Sequence, residues 1–319
     1  MTLFRDRPDF DATIDAAAER LGVDAVITEK DYWVSQVLRG LADQFPGDFI
    51  FKGGTSLSKC YRLIQRFSED IDLLIRPGER SSNATDRLLK DMAEAAGGAL
   101  DCPPEGIERV ESGRGEHRKV RVFYPTRRPG LPGVKPGVLL EMGIRGGEQP
   151  CRELGAGCLL SDVLTQAGED ISAYEDLQPV VVPVLHPGRT LLEKLDVVHT
   201  KLGMNTSAAE CKQYGRHYYD IYQLLGDEQV IALLNDRALV DQVIASVQEV
   251  TNEEFRKPGE PEIVVRPESG WPSSPAFDQS SNRLAEGYSS AMDTLSFERD
   301  KCPEFADICA RIHEMAELL

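Results

Sequence analysis

The apolar positions change their period once along the chain. Between about residues 48 and 185 they gather into short runs: Asp48–Lys52 with Phe49, Ile50 and Phe51, Phe67–Ile75, Lys119–Tyr124, Gly137–Ile144 and Val180–Leu185. Short runs of this kind, bounded by turn residues, predict strands. Helical spacing predicts helices at Asp11–Leu21, Thr28–Leu41 and Ala84–Ala96. Thr28 reads as the N-cap of its helix, with Asp31 at the N3 position. A further helix is expected from Thr55 or Ser56 to about Gln65, with Leu57, Tyr61 and Ile64 as its buried stripe. Gly130–Gly137 is a turn-rich connector.

Beyond Pro187 the pattern is helical. Helices are predicted at Thr190–Leu202, Tyr214–Leu225, Glu228–Leu234, Ala238–Val250, Asn282–Leu295 and Pro303–Leu318. The proline- and glycine-rich stretch Lys257–Ser281, with Gly270-Trp-Pro272 inside it, reads as a long loop. The predicted organisation is α/β: N-terminal helices over residues 1–46, a core with a mixed sheet over 47–185, and a helical lobe over 186–319. A cleft is expected between the last two.

One segment carries chemistry. Gly53 and Gly54 follow an apolar strand and open a helix, which lets the backbone turn tightly and approach a ligand. Backbone N–H groups at such a turn suit an anion. Asp70 and Asp72 then sit two apart in Asp70-Ile-Asp-Leu-Leu-Ile75. Alternate residues of a strand share a face, so the two carboxylates stand side by side while Ile71 and Leu73 point into a core. Paired carboxylates suit a hard divalent cation that also holds substrate phosphates. The segment is not a P-loop, because no Gly-Lys-Ser/Thr follows a four-residue gap, and the spaced glycines of a dinucleotide fingerprint are missing.

Composition narrows the class. With 41% hydrophobic and 28% charged residues in 319, the chain is ordinary for a globular protein and can bury one large core or two modest ones. A net charge of −17 argues against a protein that coats nucleic acid non-specifically. An enzyme that briefly holds one RNA end remains open, given a local basic face; Arg114, Arg118, Lys119, Arg121, Arg127, Arg128 and Lys135 are its candidates, or else a solvated hairpin. No apolar run approaches a membrane span, and Met1-Thr-Leu-Phe-Arg-Asp-Arg-Pro8 lacks a signal-peptide core. Seven scattered cysteines without a Cys-x-x-Cys suit reduced thiols, so a cytoplasmic location is expected.

Five segments, in order, resemble one family: Glu29-Lys-Asp-Tyr-Trp33, Lys52-Gly-Gly-Thr-Ser-Leu-Ser-Lys59, Ser68-Glu-Asp-Ile-Asp-Leu73, Arg189-Thr-Leu-Leu-Glu-Lys194 and Arg216-His-Tyr-Tyr-Asp-Ile-Tyr222. The arrangement is similar to the AbiEii/AbiGii toxins, MenT-like members of the polymerase-β-like nucleotidyltransferase superfamily. The resemblance implies an NTP substrate, Mg²⁺ or Mn²⁺, a tRNA 3′ acceptor end and a cognate antitoxin. It also implies roles. Gly53, Gly54, Thr55 and Ser56 would hold the phosphates. Asp70 and Asp72 would hold metal, with Glu141 of the apolar run Val138–Ile144 as the third carboxylate. Lys194 would neutralise nucleotide charge, and Asp220 would orient that lysine or take a proton from the attacking hydroxyl. Lys59 could reach a phosphate or pair with a nearby acid. Tyr32 and Trp33 are expected to anchor their helix, and Lys30 or Asp31 to line the cleft rim. A protein-nucleotidylating enzyme and a non-catalytic nucleotide-binding regulator are the alternatives.

Overall fold

The computed structural model describes residues 2–203, 208–256, 259, 262 and 275–319; the side chains at 199–203, 208–213, 254–255 and 275–280 are outside that description. The chain forms two compact units. The first comprises Met1–Arg62, Phe67–Arg145 and Cys151–Val184; the second comprises Leu63–Arg66, Gly146–Pro150 and Leu185–Leu319.

The first unit is a seven-stranded mixed sheet with helices packed on one face. The strands are β1 (Phe49–Lys52), β2 (Asp70–Ile75), β3 (Ile107–Gly113), β4 (His117–Val122), β5 (Val138–Gly143), β6 (Cys151–Ala156) and β7 (Val180–Leu185), in the order β3-β4-β5-β2-β1-β7-β6. Strand β2 runs antiparallel to β1 and parallel to β5. Helices α1 (Phe10–Leu21), α2 (Ala25–Gln44), α3 (Gly53–Lys59), α4 (Ser82–Ala99) and α5 (Leu159–Gln166) complete the unit. The core lies between one sheet face and α1, α2 and α4. Phe49, Phe51, Ile71, Leu73, Leu140, Met142 and Val120 meet Ile14, Trp33, Val37, Leu41, Leu89 and Met92 there. Burying side chains of this size stabilises the fold by roughly 1.5–3 kcal/mol each.

Helix boundaries correct three expectations. Asp24, not Thr28, caps α2, its carboxylate accepting from the Val26 N–H at 2.8 Å; Thr28 is fully buried one turn inside. Helix α3 stops at Lys59 instead of running to Gln65, and Arg62 adopts a left-handed φ of 56°. Leu57, Tyr61 and Ile64 therefore share no helical stripe. Strands β3 and β6 and helix α5 were not foreseen; β3 is polar and almost wholly exposed, so it carries no apolar alternation.

The second unit is helical: α6 (Pro187–Gly203), α7 (Ala208–Leu224), α8 (Glu228–Asn235), α9 (Arg237–Phe255), α10 (Pro275–Leu295) and α11 (Phe305–Glu314). Helix α10 lies closely on α7 because Gly215 has no side chain: a Cβ there would meet the Tyr288 backbone nitrogen at 2.2 Å. Most of the expected loop Lys257–Ser281, including Gly270-Trp-Pro272, falls outside the described residues; from Pro275 onward the chain is already helical.

Candidate functional site

Two features of the first unit converge at β2. Asp70 and Asp72 project from one face of the strand, both half-buried, while Ile71 and Leu73 are buried in the core behind. The turn that ends β1 abuts Asp72. Gly53 has φ +76°, and a Cβ on it would lie 2.1 Å from Asp72 Oδ2. The position therefore demands glycine for its backbone angle and for the carboxylate beside it. Asp70 Oδ1 is buried and has no hydrogen-bond partner among the described residues. An unsatisfied carboxylate oxygen of this kind is costly unless something else binds it.

The sheet register sets the rest of the row. Asp72 stands directly opposite Lys52 on β1 and Glu141 on β5, and Glu141 stands opposite Lys119 on β4. Directly paired residues share a face. The row Lys52, Asp72, Glu141, Lys119 thus crosses four strands on the carboxylate side. The Glu141 carboxylate is ion-paired with the Lys119 ammonium. Arg121 lies on the same face of β4 and donates to Glu108, whereas Arg118 turns inward and donates to Asp86 at 3.3 Å. Of the expected basic face, Lys119 and Arg121 look toward the carboxylates and Arg118 does not.

Behind the turn the polar groups are consumed internally. Thr55 and Ser56 are fully buried. Thr55 Oγ1 donates to the Asp70 carbonyl, and Ser56 Oγ to the Gly53 carbonyl at 2.9 Å. The Thr55 hydroxyl thus fastens α3 to β2, while the Ser56 hydroxyl closes the first turn of α3 on itself. Lys59 points into the interior. Its ammonium sits 2.6 Å from Asp31 Oδ1, with Ser35 Oγ at 2.9 Å. Neither Lys30 nor Asp31 lines a rim, contrary to expectation: both are buried, and Lys30 Nζ lies 2.5 Å from Glu69 Oε2. Burial pushes the Lys30 ammonium below its ordinary value, against the opposing charge of Glu69. Tyr32 and Trp33 do anchor α2, packed edge-on against each other and Phe10.

In the second unit, α6 and α7 bring Lys194 and Asp220 together. Asp220 is completely buried; its Oδ2 is 2.9 Å from Lys194 Nζ. Arg66 closes the cluster with a bidentate pair, Nε to Oδ1 at 2.7 Å and Nη2 to Oδ2 at 2.6 Å. Burial works to raise the Asp220 carboxyl, yet the charges and hydrogen bonds of Arg66 and Lys194 hold it far below the usual carboxylate range. His217 Nδ1 is 3.4 Å from Lys194 Nζ, and burial, followed by the lysine's charge, keeps its imidazole well below the ordinary value.

The profile of the family described as "Nucleotidyl transferase AbiEii toxin, Type IV TA system" matches residues 36–311. The chain belongs to the AbiEii nucleotidyltransferase toxin family. Among solved structures, the AbiEii chain is similar to MenT4, a nucleotidyltransferase toxin from Mycobacterium tuberculosis H37Rv, with 19% identity, 95% of this chain and 96% of that chain covered, and a TM-score of 0.48. It is also similar to JHP933 from Helicobacter pylori, with 14% identity, 85% and 95% coverage and a TM-score of 0.37. No curated protein matches the chain.

The AbiEii residues fit a divalent ion in part. Asp70 and Asp72 supply oxygen donors on one face, one of them buried without a partner, and hard cations take such donors. Glu141 is in line but engaged by Lys119, and among the described residues no group of three or more His, Cys, Asp or Glu side chains is placed to hold an ion. Sequence reasoning missed Arg66 as the second partner of Asp220, and Lys119 as the partner of Glu141. Arg66 carried a faint signal: a lone cation inside the run Ile64–Phe67, next to the acidic strand.

Proposed function

We propose that this AbiEii protein is a metal-dependent nucleotidyltransferase that transfers a nucleotide from an NTP to RNA, with the 3′ acceptor end of tRNA as the leading target. The observation that carries this reading is the contact of the Gly53 turn with Asp72 beside the unpartnered Asp70 oxygen. The family's description supplies the toxin role and the antitoxin partner.

Asp70 and Asp72 hold Mg²⁺ or Mn²⁺. When bound, that ion supplies charge stabilisation at the reacting phosphoryl group. The Gly53-Gly54 backbone cradles the phosphates, and its lack of side chains is what lets them approach. The 3′-hydroxyl oxygen attacks the α-phosphorus; the bond to the bridging oxygen breaks, and pyrophosphate and the hydroxyl proton are released. In the second unit, the family resemblance gives Lys194 the role of a point cation for phosphate charge. Asp220 orients that lysine, with Arg66 fixing the carboxylate in turn. Both oxygens of Asp220 are taken up by Arg66 and Lys194, which suits it to holding these cations rather than to accepting a proton.

The protein works in the cytoplasm, where NTPs and tRNA are found. No helix among the described residues is long and apolar enough to cross a membrane. Incubation with total RNA and each α-labelled NTP in turn tests the proposal. Label at RNA 3′ ends supports it. Label on protein alone assigns a protein-nucleotidylating activity instead, and triphosphate binding without pyrophosphate release assigns a non-catalytic regulator.

A further inference from the structure

Lys194 on α6 meets two groups of α7. Its Nζ lies 2.9 Å from Asp220 Oδ2 and 3.4 Å from His217 Nδ1. His217 and Asp220 are three positions apart, which puts them on one face of the helix. An ammonium carries three N–H donors and no lone pair. His217 Nδ1 can therefore meet Lys194 only as an acceptor, and the imidazole proton belongs on Nε2. The surroundings agree: burial, then the charges of Lys194 and Arg216, keep the ring neutral against the pull of Asp220. With Asp220 alone, the ammonium could swing about that one contact on its flexible four-carbon stem. A second contact stops the swing. The third N–H has no acceptor among the described residues.

We propose that His217 is a positioning residue that aims Lys194: together with Asp220 it takes two of the ammonium hydrogens and leaves the third for a phosphate oxygen of the nucleotide. The inference rests on the nucleotidyltransferase reading above and on the role the family resemblance gives Lys194. His217 touches no reacting atom and acts through the lysine. A lysine ordered in advance spares the substrate the cost of ordering it. The imidazole also stacks on Tyr214, with centroids 6.0 Å apart and 23° between the planes. Packing and aiming ask for different atoms. Packing needs a flat ring, and aiming needs a lone pair at the Nδ1 position.

Two substitutions in the full-length chain separate these roles. His217→Phe keeps the ring and loses the acceptor; His217→Asn loses the ring and keeps an acceptor oxygen near the Nδ1 position. In NTP transfer to RNA, His217→Phe should lower kcat/KM roughly tenfold, the worth of one hydrogen bond to a charged group. His217→Asn should keep most of the wild-type value. The imidazole nitrogen resonances of ¹⁵N-histidine-labelled wild type, recorded near neutral pH, supply a readout besides activity. They should show a neutral ring with the proton on Nε2 and a bare Nδ1. A proton on Nδ1 overturns the proposal, as does a His217→Phe protein with full activity or a His217→Asn protein as slow as His217→Phe. A wild type with a bare Nδ1 that transfers no nucleotide would defeat the broader reading and leave the hydrogen bond standing. A transferring wild type with a proton on Nδ1 would defeat the His217 inference alone.

Discussion

Gly53 and Asp72 are mutually exclusive with any side chain between them: a Cβ on Gly53 would sit 2.1 Å from Asp72 Oδ2. This contact joins the glycine turn to the acidic strand. Gly53→Ala should be impaired twice. The left-handed backbone angle costs an alanine about 1–2 kcal/mol. The new methyl must also displace the Asp72 carboxylate, and misplacement on the scale of 1 Å lowers turnover by about a hundredfold. Steady-state transfer rates together with chemical denaturation would show both effects. A Gly53→Ala protein with wild-type activity would detach the turn from the chemistry.

Asp70 should be dispensable for folding and indispensable for transfer. Its Oδ1 is buried without a partner, which destabilises the native state by about 1–3 kcal/mol. Its charge partly offsets this by favouring the charged form of Lys30. Asp70→Ala is therefore expected to stay within about 1 kcal/mol of wild-type stability while losing all transfer. Denaturant unfolding checks the first half and labelled-NTP incorporation the second.

Lys59 and Asp31 form a buried pair at 2.6 Å. Lys59→Met leaves the Asp31 charge stranded and should destabilise the protein by about 3–5 kcal/mol. Asp31→Asn in the same chain should restore much of that, since an amide oxygen can still accept from the Leu159 N–H. Nucleotide affinity of the double variant should match the wild type. A large affinity loss at unchanged stability would return Lys59 to the nucleotide site.

His217 makes stability depend on pH. Burial, then the charges of Lys194 and Arg216, keep its imidazole neutral in the fold, against the attraction of Asp220. The unfolded chain takes up the proton near the ordinary value of 6.5, and the folded one only well below it. More protons are thus bound by the unfolded state in that window, so stability is full above about pH 6.5 and falls as the pH drops through it. Tm measured from pH 7.5 to 5 should decline, and the decline should be shallower in His217→Gln.

The acidic strand was legible because its two faces differ so sharply. Ile71 and Leu73 needed a core, which fixed Asp70 and Asp72 on the opposite side. Helix extents were less legible, since caps depend on geometry: Thr28 looked like a cap and Asp24 is one. Strand β3 was missed because Glu108, Arg109 and Glu111 are all exposed, and an exposed edge strand needs no apolar alternation. The lysines of the site segments were ambiguous for a deeper reason. A lysine beside a glycine turn reads the same whether it meets a phosphate or a buried aspartate, and only the position of Asp31 decides where Lys59 turns. Arg66 and Lys119 were hidden likewise, because their partners lie 154 residues away in the chain for Arg66 and across a strand pair for Lys119.

The central claim is that Asp70 and Asp72 drive the release of pyrophosphate as a nucleotide passes to RNA. The most direct measurement follows both products at once, pyrophosphate by enzymatic assay and label at RNA 3′ ends, for the wild type and for Asp72→Asn. Equal amounts of both products from the wild type, and neither from a folded Asp72→Asn, are the predicted result. Undiminished transfer by Asp72→Asn, or label on RNA without matching pyrophosphate, would contradict the account.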